Sequence, residues 1–439
     1  MRKSSILIGL VFSLGWTVAG CGGGSGGNGG GGGGGGDSTT VTVKVGTAVT
    51  AAAQIGTGAF TPAAITSGIV TVSVPHGTSN FAVAAACPLQ TVGLNGTQYT
   101  LIEENVLEAS IADGTSLSLP CATAETITKG SLTGNVDASA IAGVNYVGVS
   151  AGNSTAGTDQ MISGASSTFS AQMPAGTDRV ALEGYVHATS SQLGVNSIFT
   201  LAAVRNFDGV AVPGSVNGGS TVALGAADAV TMEPITYSNV PNGYSAPITV
   251  ANYFWANSVG GILLSNMATS QYPMVPAAAA ESGDSYLFLS RADSATGFPP
   301  QSVLVDTWTT SGGPLTVTFP AAWTYAGPTP AALPVFTLAY SGFNGSSNVH
   351  YGVGVGWQPD KTTSVDRVVT ATANYMGGST SLAVPDLTAV TGFAAPPASG
   401  TLVEWSAEIG QSNFPVLRVG SSSSGTTSAV SSAGTYSTP

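Results

Sequence analysis

The amino-acid sequence predicts an all-β protein built from tandem β-sandwich modules. Three observations carry that expectation. Glycine, proline and β-branched residues interrupt nearly every window at strand spacing, so helical periodicity never lasts beyond two or three turns. The best helical candidate, Pro276 to Glu281, is short. Strand–turn–strand patterns recur about 100 residues apart, one sandwich length. Charged residues make up only 7% of the chain, against about a quarter in ordinary globular domains, which fits an exported protein rich in Gly, Ser, Thr, Ala and Val.

The chain begins with Arg2 and Lys3, then an apolar run from Ile6 to Trp16. That run suits an export signal and is too short to span a membrane. Val18-Ala19-Gly20 leads into Cys21. This layout resembles a bacterial lipoprotein signal covering residues 1–20. The resemblance implies that Cys21 receives a diacylglyceryl group and becomes the N-terminus. Two or more acyl chains give stable anchoring. The alternative is a secreted protein with an incidental cysteine. The expected address is the bacterial cell envelope, and glycine rather than aspartate at position 22 points to the outer membrane. Residues 21–38 hold the lipidated cysteine and a tether. Gly22 to Gly36 is glycine broken only by Ser25 and Asn28, a flexible leash of about 50 Å when stretched. The Gly-x-Ser-x-Gly match at Gly23 to Gly27 falls inside this leash. It lacks the strand and helix that a nucleophile elbow needs.

Two modules follow, 39–133 and 134–238. Ile69 to Pro75 and Phe169 to Pro174 are strands, each closed by a Pro-x-Gly-Thr turn and followed by a second strand. Ser116 to Leu119 matches Thr221 to Leu224. Leu132 to Val136, Ile141 to Val144 and Phe169 to Thr177 make the second module resemble the carboxypeptidase-regulatory-like or transthyretin-like β-sandwich, itself Ig-like in architecture. The resemblance spans roughly 50 residues and implies a structural or binding role, with no active site to transfer.

The C-terminal half is read as modules 239–330 and 331–419, or as one larger sandwich. Gly312-Gly313 before Leu315 to Phe319, and Gly377-Gly378 before Thr380 to Val384, read as hairpin turns. Residues 420–439, rich in Ser, Thr and Gly, read as a disordered tail.

Cys87 and Cys121 form an even pair in an exported chain, which reads as a disulfide. A metal site is the weaker alternative, since no histidine is near either. No cofactor motif is present. His76, His187 and His350 are isolated in sequence. Glu404 and Glu408 share one face of a strand with Trp405 turned inward; at about 13 Å along a strand they are too far apart for a glycosidase pair. The formal net charge is −12, more negative still once Arg2 and Lys3 leave, which disfavours nucleic acid as a partner. Every tryptophan beyond the signal lies in the C-terminal half. Tyr253, Trp255, Trp323, Tyr325 and Trp357 are therefore candidates for a binding face, against the alternative that they fill a core. The expected function is a non-catalytic envelope lipoprotein, tied to the membrane by its lipid and binding an envelope protein or polysaccharide. The alternatives are a surface glycan-binding protein and a hydrolase with its site on C-terminal loops.

Overall fold

A computed structural model describes residues 38–439 apart from 95–96, 120, 122–127, 155, 190–196, 257, 259, 296–299, 344–347 and 413–424. The export signal, Cys21 and the glycine tether lie outside the described residues. The fold is all-β and sandwich-like, as the sequence predicts. Among the described residues helix is confined to single turns such as α1 (Ala373–Met376), and the stretch after Pro276 is a turn.

One strand plan recurs four times. Unit one contains β1 (Ser38–Lys44), β2 (Thr50–Ile55), β3 (Thr61–Ala63), β4 (Ile65–Thr66), β5 (Ile69–Pro75), β6 (Asn80–Ala86), β7 (Gln90–Leu94), β8 (Thr97–Ser110) and β9 (Ser116–Ser118). Its small sheet centres on β1, antiparallel to β5 and parallel to β9. Its larger layer runs β3-β2-β6-β8, all antiparallel. Unit two contains β10 (Lys129–Asp137), β11 (Tyr146–Gly152), β12 (Gly157–Ser163), β13 (Ser166–Pro174), β14 (Gly176–Thr189), β15 (Ser197–Val212), β16 (Gly214–Ser215) and β17 (Thr221–Ala223). Here β10 takes β13 antiparallel and β17 parallel, and the layer runs β12-β11-β14-β15.

Unit three repeats the plan with β18 (Thr231–Ser238), β19 (Ile248–Phe254), β20 (Gly261–Ala268), β21 (Gln271–Met274), β22 (Ser285–Asp293), β23 (Gln301–Thr309) and β24 (Leu315–Thr318). β18 pairs with β21 and, in parallel, with β24; the layer runs β20-β19-β22-β23. Unit four has β25 (Val335–Thr337), β26 (Val349–Trp357), β27 (Thr363–Thr372), β28 (Ser381–Ala383), β29 (Leu402–Ser412) and β30 (Gly425–Ser437). β25 pairs with β28, and the layer runs β27-β26-β29-β30. Where the other units place a parallel strand, Trp323 of the preceding segment donates Nε1 to the Ala339 carbonyl at 3.0 Å, beside the end of β25. Its ring stacks on Tyr325, centroids 4.6 Å apart, and Tyr325 meets Trp405 edge-on.

The four larger layers join into one continuous sheet. β15 meets β20, β23 lies beside β30, and β8 runs parallel to β27 over Thr363 to Ala371. Units one and two each keep a private core against their small sheets, around Val41, Val72 and Leu107 and around Leu132, Phe169 and Leu182. Units three and four share a single core that also takes in Ala82, Val106 and Tyr185 from the first two.

Several expectations need correction. The boundary between 133 and 134 falls inside β10, and β18 precedes position 239. A strand that opens a sandwich carries no local mark distinguishing it from one that closes the previous unit. The tail expected to be disordered contains β30, paired along its length with β29 and over Gln301 to Trp308 with β23. A Ser/Thr/Gly segment cannot bury enough apolar area alone. Between two strands its backbone is bonded on both sides, and its lack of bulk is useful: a Cβ at Gly434 would meet Trp405 at 2.8 Å. The two Gly-Gly pairs are not hairpin turns. Gly312-Gly313 carries the chain from β23 in the large sheet to β24 in a small one, and Gly377-Gly378 follows α1 on the way from β27 to β28. Gly313, Gly377 and Gly378 do have positive φ, but that freedom serves a crossing between layers.

Candidate functional site

The five aromatic candidates for a binding face are all buried, the most exposed at 6%. The alternation of each strand explains why. Tyr253 points inward from β19 and donates its hydroxyl to Asp284 at 2.6 Å. Asp284 also accepts from Arg179 Nη1 at 2.9 Å, and the Arg179 guanidinium lies 5.6 Å over the Trp255 ring. These residues form the joint between units two and three. Trp357 lies under Arg367, 5.5 Å from its guanidinium carbon. Arg367 is wholly buried and donates Nε to Glu104 at 2.7 Å, with further bonds to the Pro385 and Ala394 carbonyls. That pair fixes β8 of unit one beside β27 of unit four. Trp323 and Tyr325 close the edge of β25. Trp255, Trp323, Trp357 and Trp405 therefore mark joints and core.

The half-buried feature that the chain builds instead is the other face of the central sheet. In β23, Val303 and Val305 point into the shared core, while Leu304, Asp306 and Trp308 point out and are half-buried. Register places Leu289 and Val250 in the row of Asp306, and Leu287, Asn252 and Leu263 in the row of Trp308. Phe254 stacks on Trp308 with centroids 5.5 Å apart and planes 18° from parallel. None of these outward apolar side chains belongs to any of the three hydrophobic cores. The small sheets of units three and four cover the opposite side.

Asp306 stands within this apolar area. Burial pushes its carboxyl up to about 7, and the neighbouring Glu408 charge adds to the shift. It makes no hydrogen bond or ion pair among the described residues. Arg291, on the same face, turns to Asp293 at 2.5 Å.

Further along the sheet the face becomes polar. β26 sets His350, Gly352, Gly354 and Gly356 outward, and β29 sets Glu404, Glu408 and Gly410 beside them. His350 lies across Gly410, where a Cβ would strike its ring. Its Nε2 is 3.6 Å from Glu408 Oε1, and its Nδ1 is buried without a hydrogen-bond partner. Two rows beyond Glu408, Asp366 sits between Glu404 and Glu103; burial, then those two charges, raise it to about 6.

The remaining sequence candidates are placed as follows. Cys87 and Cys121 are bonded, Cα atoms 5.2 Å apart. His76 is exposed in a turn, and His187 packs between Tyr146 and Phe199. Trp405 is turned inward as expected, and Glu404 and Glu408 share the outer face. Sequence reasoning missed the His350–Glu408 pair because the strands that join them are far apart in the chain. It also missed the apolar face, although a signal existed. Tyr286-Leu287-Phe288-Leu289 and Val303-Leu304-Val305 are apolar at consecutive positions, and an antiparallel strand of that kind is apolar on both faces. No family model matches the chain, and no curated protein matches it.

Proposed function

We propose that this is a non-catalytic lipoprotein of the bacterial envelope, anchored through Cys21 in the outer membrane, whose β-sandwich units present a surface for binding or for envelope structure. The observation that carries the reading is the outward face of β19, β20, β22 and β23. Contiguous apolar surface left outside every core of a soluble domain marks an interaction site more often than an accident of composition. Two further readings have an observation each. The stacked Phe254–Trp308 pair suits sugar rings and supports glycan capture. The His350–Glu408 pair supports a hydrolase, though the buried Nδ1 of His350 faces no group that would orient it as a base.

A photo-crosslinking residue at position 287 in growing cells tests the leading reading. A discrete adduct is expected there and none from position 71, which is exposed on unit one. Equal labelling at both positions would count against the face. Turnover of an ester or glycoside that disappears in Glu408→Gln would replace binding with catalysis.

A further inference from the structure

We propose that the outward face of unit three receives a basic, apolar segment of a partner protein, with a lysine or arginine meeting the Asp306 carboxylate. The inference rests on the reading of this face as a binding surface and adds the chemistry of its occupant. Four strands at the usual spacing make a surface roughly 15–20 Å across. Val250, Phe254, Leu263, Leu287, Leu289 and Trp308 supply the apolar contact. A surface formed by one face of a sheet suits a polypeptide segment better than a small molecule, which needs walls. Two hollows of the fold lie elsewhere, both around Pro62 and Ala63 of unit one and one of them also walled by Ala389 to Thr391 of unit four, and are lined without a charged group.

Charge complementarity chooses among macromolecules. Asp306 is a carboxylate set among apolar side chains, and among the described residues it has no ion-pair partner: Arg291, one row along on the same face, is engaged by Asp293. Another acid, Glu408, adds its negative charge to the surroundings of Asp306. A partner cation would remove that mismatch, and close interfacial charge pairs of this kind contribute to affinity and set register. The same argument disfavours other occupants. A second copy of this chain brings a formal net charge of −12, and an anionic membrane or nucleic acid brings its own negative charge.

The test uses the full chain and synthetic peptides of alternating leucine and lysine, or of leucine and glutamate, read by calorimetry and tryptophan fluorescence. The leucine–lysine peptide should bind, and the leucine–glutamate peptide should bind at least about tenfold more weakly. Asp306→Asn should weaken the first peptide by about tenfold, while Glu233→Gln, on another face, should leave it unchanged. Equal loss in Glu233→Gln would reduce the effect to net charge and overturn the proposal. Loss in Leu287→Ser with none in Asp306→Asn would keep the face as a binding site and discard the cationic partner. No loss in either variant would discard the face itself. Binding of a soluble oligosaccharide instead, abolished in Trp308→Ala, would assign the face to glycans. Peptide binding seen only after Phe414, Val416 and Leu417 are changed to serine would assign the face to the chain's own residues, which also overturns the proposal.

Discussion

Units one and three share a strand plan but treat their sheets differently. In unit one both sides of the larger layer are covered. Phe81, Val83 and Ala85 of β6 face the private core, while Ala82 and Ala84 face the core of units three and four. Small side chains predominate there because two layers close on the same strand. In unit three the equivalent strand, β22, turns Tyr286 and Phe288 into the shared core and leaves Leu287 and Leu289 outside it. Topology alone therefore does not decide which face of a sandwich strand is buried. What docks against the sheet decides it, and here that is set by how the four units are joined.

The joints are where the comparison breaks most easily. Arg367→Ala leaves Glu104 charged and buried with the Ala394 N–H but without its cation, which costs about 3–5 kcal/mol. The expected outcome is a large loss of chemical stability, or failure to fold. Arg367→Met with Glu104→Leu should recover most of that loss, because paired removal leaves no stranded charge. If the single variant unfolds at the wild-type denaturant concentration, the β8–β27 joint is not what holds unit one to unit four.

The next effect separates a private core from a shared one. Replacing Cys87 and Cys121 by serine removes a cross-link closing a loop of 34 residues, with an expected loss of about 3–4 kcal/mol in the chain-entropy model. Hydrogen exchange should show the loosening first at β1, β5 and β9, and least at β22 and β23. Uniform loosening across all four units would argue against a separate core in unit one.

Adjacent residues of one strand sharpen the contrast between faces. Leu264 is wholly buried in the shared core and Leu263 lies on the outward face. Leu264→Ala should cost about 2–4 kcal/mol and Leu263→Ala under about 1 kcal/mol, measured by urea denaturation. Similar losses at both positions would mean that the outward face is packed as tightly as the core.

A further effect is electrostatic and appears only as pH changes. Asp306 has a folded-state value near 7, raised above its ordinary 3.8. The folded protein therefore holds this proton longer than the unfolded chain. Its contribution to stability is fully present below about pH 4 and is lost as pH rises through about 7. Asp306→Asn should remove that part of the pH dependence and gain on the wild type between pH 5 and 8. Denaturant midpoints at pH 4, 6 and 8 check it, and parallel curves for the two proteins would contradict it.

Much of the architecture was legible in the residues because strand alternation and turn chemistry are local. The match of Ile69–Pro75 with Phe169–Pro174 correctly pairs β5 with β13, and Ser116–Leu119 with Thr221–Leu224 pairs β9 with β17. The repeat drawn in the C-terminal half set β24 beside β28, which occupy different places in the plan. A glycine pair before a short strand looks the same whether the chain turns back or crosses to another layer. The candidate site was read from tryptophan abundance, which reports the amount of aromatic surface without its direction.

By itself the sequence determined that the chain is all-β and in repeated units, and it marked Cys87 and Cys121 as a pair. Each follows from contacts within a strand, a turn or a short loop. The tertiary structure decided that the Ser/Thr/Gly tail becomes an inner strand, that Trp255 and Trp357 seal joints under arginines, and that Leu287, Leu289 and Trp308 stay outside every core. Those outcomes depend on pairings between residues hundreds of positions apart. Exposure is a property of what the rest of the chain places against a surface, and no local pattern encodes that.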